Sequence, residues 1–123
     1  VSAIDNYDLF VINRNLTRKK TTLEQIKSPN IYQINLKLDN KAKRDITLNV
    51  SCRSKDNRWY FDPKKITPIQ LESGASQLLK IKTHFELDRK PESLPECTLK
   101  IPFQTQDGQW LDLNQTIRTQ KSP

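Results

Sequence analysis

The stretch Asn30-Ile31-Tyr32-Gln33-Ile34-Asn35-Leu36-Lys37-Leu38-Asp39-Asn40-Lys41 decides the fold class of this chain. Tyr32, Ile34, Leu36 and Leu38 alternate with Gln33, Asn35, Lys37 and Asp39, and the run stops at a polar turn. A period of two belongs to a strand with one face buried and the other in water. A second alternating segment follows at once, with Ile46, Leu48, Val50 and Cys52 set against Thr47, Asn49 and Ser51. Two half-buried strands joined by a short polar turn point to an all-β domain.

Working outward, further strand candidates are residues 8–13, 17–28 (polar, ending at Pro29), 31–39, 45–52 and 58–61, the last stopped by Asp62-Pro63. Residues 66–71 and 77–85 follow, separated by the turn Glu72-Ser73-Gly74, and then 97–105 and 110–117 beyond a proline-containing loop at 90–95. Residues 22–26 are the one stretch with a reading as a helical turn. Many short strands at this spacing predict an immunoglobulin-like β-sandwich of about seven antiparallel strands. The expected domain spans residues 1–123, with 1–30 holding the least regular pattern, an N-terminal strand and a polar connection. A length of 123 residues suits one core. The apolar content of 34% is low but spaced as strands, unlike a disordered composition. No apolar run approaches the roughly 18 residues of a membrane-spanning helix, and no signal peptide is visible. The chain opens at Val1 without a methionine and reads as a mature or excised domain.

The closing hairpin permits a sharper expectation. A two-residue turn at Asp107-Gly108 pairs Phe103 with Asp112 and turns polar groups into the core. A three-residue loop, Gln106-Asp107-Gly108, pairs Phe103 with Leu111 and Ile101 with Leu113. It keeps Cys97, Leu99, Ile101, Phe103, Leu111, Leu113 and Ile117 on one face, with Gly108 at the left-handed position. Pro102 lacks a ladder donor and suggests a local bulge or an edge.

The same face-counting bears on the two cysteines. Cys52 ends one strand and Cys97 begins a later one, both on apolar faces. In an immunoglobulin-like sandwich these are antiparallel neighbours, strands C and F, so a Cys52–Cys97 disulfide is geometrically natural and implies an oxidising compartment. The alternative is a pair of reduced, buried thiols acting as small hydrophobes.

Chemistry is sparse. His84, the single histidine, falls on the outward parity with Lys80 and Lys82, a solvated position without the partners a catalytic base needs. No zinc or copper ligand spacing occurs, and two glycines make no phosphate loop. No enzyme activity, metal or cofactor is expected in this domain. The triplets Asn15-Leu16-Thr17, Asn49-Val50-Ser51 and Asn114-Gln115-Thr116 match the N-glycosylation acceptor pattern; chance supplies one or two such matches in so Asn-, Ser- and Thr-rich a chain, and a eukaryotic secreted glycoprotein stays open without being favoured.

The net charge of +7 raises polyanions as partners. The lysines and arginines are scattered through turns and strand faces, however, so nucleic acid is not the expected partner. The interaction candidates are Arg58, Trp59, Tyr60 and Trp110, aromatic and basic residues near turns or on outward faces. Trp59 or Phe61 has the alternative reading of a core residue plugging the end of the sandwich.

Val11-Ile12-Asn13-Arg14-Asn15, followed by Asn30-Ile31-Tyr32 and Leu36-Lys37-Leu38-Asp39-Asn40-Lys41, resembles the C-terminal immunoglobulin-like domain of the FixG/CcoG family. Leu71-Glu72-Ser73-Gly74-Ala75-Ser76, Leu94-Pro95 and Ile101-Pro102-Phe103 extend the likeness along most of the chain, though its specific part is about a dozen positions. The chain departs from the family in having Leu16 where a proline usually follows the Arg-Asn pair, in the polar segment 19–27, and in its two cysteines. The resemblance implies a membrane-anchored parent with an iron–sulfur portion, serving assembly of a cbb-type cytochrome oxidase. Its extracytoplasmic, periplasmic domain would make protein–protein contacts. The alternative is a secreted or surface module binding protein or glycan through an aromatic-basic patch, and a weaker one is a nucleic-acid-binding β domain.

Overall fold

The computed structural model describes residues 12, 14–18, 20–62, 65–105 and 107–121. Ten strands occur among them: β1 (Leu16–Arg18), β2 (Thr22–Lys27), β3 (Ile31–Asn40), β4 (Ile46–Arg53), β5 (Tyr60–Asp62), β6 (Lys65–Leu71), β7 (Ser76–His84), β8 (Glu96–Gln104), β9 (Trp110–Arg118) and β10 (Gln120–Lys121). β1, β5 and β10 have three residues or fewer, which leaves seven strands of six or more. One sheet runs β10-β2-β3-β7-β5, with β1 also on β3; the other runs β6-β4-β8-β9. All pairings are antiparallel except β10 with β2.

The alternation read in the first stretch is the inner face of β3. Ile34, Leu36 and Leu38 are buried against Leu79 and Ile81 of β7, with Leu36 aligned on Leu79 and Ile34 on Ile81. Ile46, Leu48 and Val50 of β4 and Cys97, Leu99, Ile101 and Phe103 of β8 close the core from the second sheet. The outward parity holds Gln33, Asn35 and Lys37 beside Lys82, Lys80 and Leu78.

Residues 22–26 are strand, not a helical turn. Only Leu23 of this segment is buried, so there is no helical apolar stripe. Its backbone groups are paired instead along β3 from Thr22↔Asn35 to Lys27↔Ile31. The expected strand at 17–28 is split: β1 aligns Arg18 with Leu38 and β2 aligns Thr22 with Asn35, one residue out of phase. The expected strand at 8–13 lies outside the described residues, apart from Ile12, which is buried.

The hairpin adopts the three-residue register, with Phe103 opposite Leu111 and Ile101 opposite Leu113. Leu111 is nevertheless 47% exposed and Leu113 only partly buried, because β9 is the edge of its sheet and packs laterally on β8 alone. Pro102 pairs with Asp112 without a bulge. The β4–β8 ladder stops at Asn49↔Lys100, so on that side Pro102 has no bond to forfeit. Gly108 has φ +90°, and an added Cβ would meet only Gln104 Nε2, at 3.9 Å. Gly108→Ala is therefore expected to lose about 1–2 kcal/mol through backbone strain alone, read as a lower urea midpoint with an unchanged slope.

Cys52 and Cys97 are direct cross-strand partners and form a disulfide, with S–S 2.13 Å and Cα–Cα 4.0 Å. So close an approach belongs to the narrow class of antiparallel pair, about 4.5 Å between α-carbons.

Candidate functional site

Parity brings three aromatic rings together at the disulfide end of the sandwich. Tyr32 is the first inward residue of β3, Phe85 directly follows β7, and the pairing of Ile31 with His84 sets them at one level. Trp59 enters from the turn before β5. It meets Tyr32 at 5.4 Å with an interplanar angle of 83°, and Phe85 at 5.1 Å and 85°. Tyr32 and Phe85 lie 6.1 Å apart, inclined by 29°. Edge-to-face contacts set the positive ring edge against the negative face. Trp59 is 6% exposed and its Nε1–H donates to the Ser93 carbonyl at 2.8 Å.

Two further bonds hold the 90–94 loop against the 56–58 turn. Arg58 Nη1 donates to the Lys90 carbonyl at 2.9 Å, and the Glu92 N–H donates to Asp56 Oδ2, also at 2.9 Å. The Arg58 N–H reaches Asp56 Oδ1 at 3.3 Å. The Asp56 carboxyl is held below its ordinary range, chiefly by the Glu92 N–H, with burial opposing. A depressed folded value means the clamp contributes above the ordinary carboxylate range, about pH 4, and is lost as the pH falls through the folded value. The Glu92 amide resonance is expected to report that acid titration, and Asp56→Ala to abolish it.

Between this loop and the rings lies a cleft of about 350 Å³. Tyr32, Trp59, Phe85 and Leu94 form its apolar part; Lys90, Lys121, Gln25 and Glu92 stand on its rim, with Ser93 in its lining. The volume is at the low end for small-ligand pockets. A second cleft of about 340 Å³ opens on the other side of Trp59, beside Cys52, Asn57, Tyr60 and Phe61.

The residues singled out in the sequence are dispersed among different roles. Trp59 is buried between the two clefts, and Arg58 is half-buried and engaged with the Lys90 carbonyl. Tyr60 is 40% exposed and stacks on His84, 5.3 Å between centroids. Trp110 is 66% exposed and aligns with Gln104, seven residues along β8 from Cys97. At about 3.3 Å per residue this places it about 23 Å from the disulfide level, at the opposite end of the sandwich. Tyr32 and Phe85 were not among the interaction candidates, although both sit on inward parity at strand ends. Among the described residues no three or more His, Cys, Asp or Glu side chains gather as metal ligands. The arrangement offers apolar surface, two ammonium groups and fixed main-chain atoms, the means of binding.

No family model matches the chain, and no curated protein matches it. Among solved structures it resembles the Escherichia coli chaperone DraB at 13% identity and a TM-score of 0.53, covering 85% of this chain and 53% of that one. It also resembles Escherichia coli alpha-2-macroglobulin, in a structure spanning domain MG7 to the C-terminus. Identity there is 13% and the TM-score 0.52, over 85% of this chain and 16% of that one. A FixG-related protein from Vibrio parahaemolyticus aligns at 15% identity over 85% of this chain and 92% of that one, with a TM-score of 0.37, too loose a superposition to bear on family. The chain thus spans about half or less of the first two proteins, and the likeness is one of fold. The two sheets, their antiparallel ladders and the likeness in fold to the first two of these structures make the chain an immunoglobulin-like β-sandwich.

Proposed function

We propose that this chain is a non-catalytic, extracytoplasmic interaction domain whose partner is a protein. Its parent, on this reading, is a membrane-anchored FixG/CcoG-like protein that takes part in assembling a cbb-type cytochrome oxidase. The observation that carries the extracytoplasmic placement is the Cys52–Cys97 bridge, since such bonds persist in oxidising compartments. The parent is argued from the Arg14-Asn15 and Asn30–Lys41 resemblance. Interaction is argued from the lysine-rimmed aromatic cleft, which Trp59 lines; Arg58 and Tyr60 beside it, and Trp110 at the opposite end, are the other residues to test.

A second reading rests on the exposed aromatics Tyr60 and Trp110: a secreted or surface module of unrelated descent that binds protein or glycan through an aromatic-basic patch. The sequence encoded upstream of Val1 separates the two. Membrane-spanning helices and iron–sulfur cysteine clusters support the first, whereas a signal peptide directly before Val1 overturns it. Protein denatured without reduction in the presence of an alkylating agent, straight from its native cells, is expected to carry no alkylated cysteine. Two blocked thiols in place of the bridge would remove the argument for an oxidising compartment.

A further inference from the structure

We infer that the cleft at the disulfide end recognises an acidic segment of a partner protein. The segment inserts one apolar side chain against Tyr32, Trp59, Phe85 and Leu94, and its flanking carboxylates meet Lys90 and Lys121. This rests on the reading of the domain as an interaction module and names what it would take.

Two observations converge on that occupant. The recess is built before a ligand arrives: the Trp59–Ser93, Arg58–Lys90 and Glu92–Asp56 bonds fix its wall, so little ordering entropy remains to be lost on binding. The rim charge is complementary to carboxylates. Lys90 and Lys121 are exposed and in no ion pair among the described residues, against the single carboxylate of Glu92, in a chain of net charge +7. The aromatic geometry argues against a glycan. Sugars stack on ring faces held flat to solvent, whereas Trp59 and Phe85 are buried and packed edge to face, so they form a recess and not a platform.

The test is an NMR titration of the intact, disulfide-bonded chain with the acetylated, amidated peptide Asp-Glu-Phe-Glu-Asp. Its controls are the same peptide with Ala for Phe, Lys-Lys-Phe-Lys-Lys, and a sulfated oligosaccharide. The chain's two tryptophans supply an internal reference: the Trp59 indole N–H lies in the site and that of Trp110 about 23 Å away along the strands. The acidic Phe peptide is expected to shift the Trp59 indole and the Ser93 amide saturably while leaving Trp110 unmoved. Binding is expected to weaken at least tenfold with the Ala peptide, and equally with the exposed double substitution Lys90→Glu, Lys121→Glu, whose fold is checked by its free spectrum. Shifts confined to Trp110 or to the Lys80–His84 face would overturn the cleft as the site while leaving an interaction domain standing. An equal response to the basic peptide, or Trp59 shifts with the oligosaccharide, would overturn the acidic protein segment as occupant. Silence from every probe at millimolar concentration would overturn the site itself; the interaction reading then stands or falls on crosslinking of the native parent to a defined partner.

Discussion

Asn40→Asp is expected to lower the free energy of unfolding by about 3–4 kcal/mol. The Asn40 side chain is buried, with 1% exposure. Its Nδ2 donates to the carbonyls of Arg44 and Leu71, both at 2.9 Å, and approaches that of Glu72 at 3.2 Å. Its Oδ1 accepts the Ala42 N–H at 2.9 Å. One amide thus joins the end of β3 to the turn before β4 and to the end of β6 in the other sheet. Aspartate preserves the shape and the acceptor but turns the donor into an oxygen facing carbonyl oxygens, so their desolvation is no longer offset. Asn40→Ala removes the donor without adding repulsion and should lose less, about 2–3 kcal/mol. Urea unfolding of the two variants measures the order. Near-equal midpoints for Asn40→Asp and the parent chain would show that the amide does not join the sheets.

Opening the disulfide is the second large effect. The cysteines are 45 residues apart, and closing a loop of that length removes about 4 kcal/mol of chain entropy from the unfolded state. The double substitution Cys52→Ala, Cys97→Ala, or reduction with dithiothreitol, is expected to lower stability by about 2–4 kcal/mol. The consequences should be greatest where the bridge sits. Trp59 lies at the same end of the sandwich as Cys52, so its fluorescence should change at lower urea once the bridge is open. A midpoint unaffected by reductant would mean that the pairing of β4 with β8 needs no covalent help.

Most of the fold was legible because its signals are local. Alternation in 31–40 and 46–53 reports which side of each strand is buried, and that parity carries through a three-residue loop to give Phe103↔Leu111 and through antiparallel adjacency to give Cys52↔Cys97. β2 was only half legible: it fell within the strand candidate 17–28 but kept a helical-turn reading, because only Leu23 in it reaches the core and its pairing comes from β3, which its own residues do not encode. Leu111 shows the complementary case, where parity named the right face but the edge position of β9 decided the exposure.

The candidate site was barely legible, for a different reason. Arg58 and Trp59 were marked by their own chemistry, yet Tyr32, Phe85 and Ser93 become neighbours only when the β3–β7 register and the 90–94 loop are in place. The same three-dimensional arrangement separates Trp110 from Trp59, which composition alone would group. The amino-acid order by itself determined the sandwich class, the hairpin register and the feasibility of the bridge, because each follows from a period-two pattern and counting. Tertiary structure alone decided which aromatics share a cleft and which lysines rim it. Convergence of segments 25–32, 56–61, 85–94 and 121 depends on the packing of whole sheets, to which no single stretch has access.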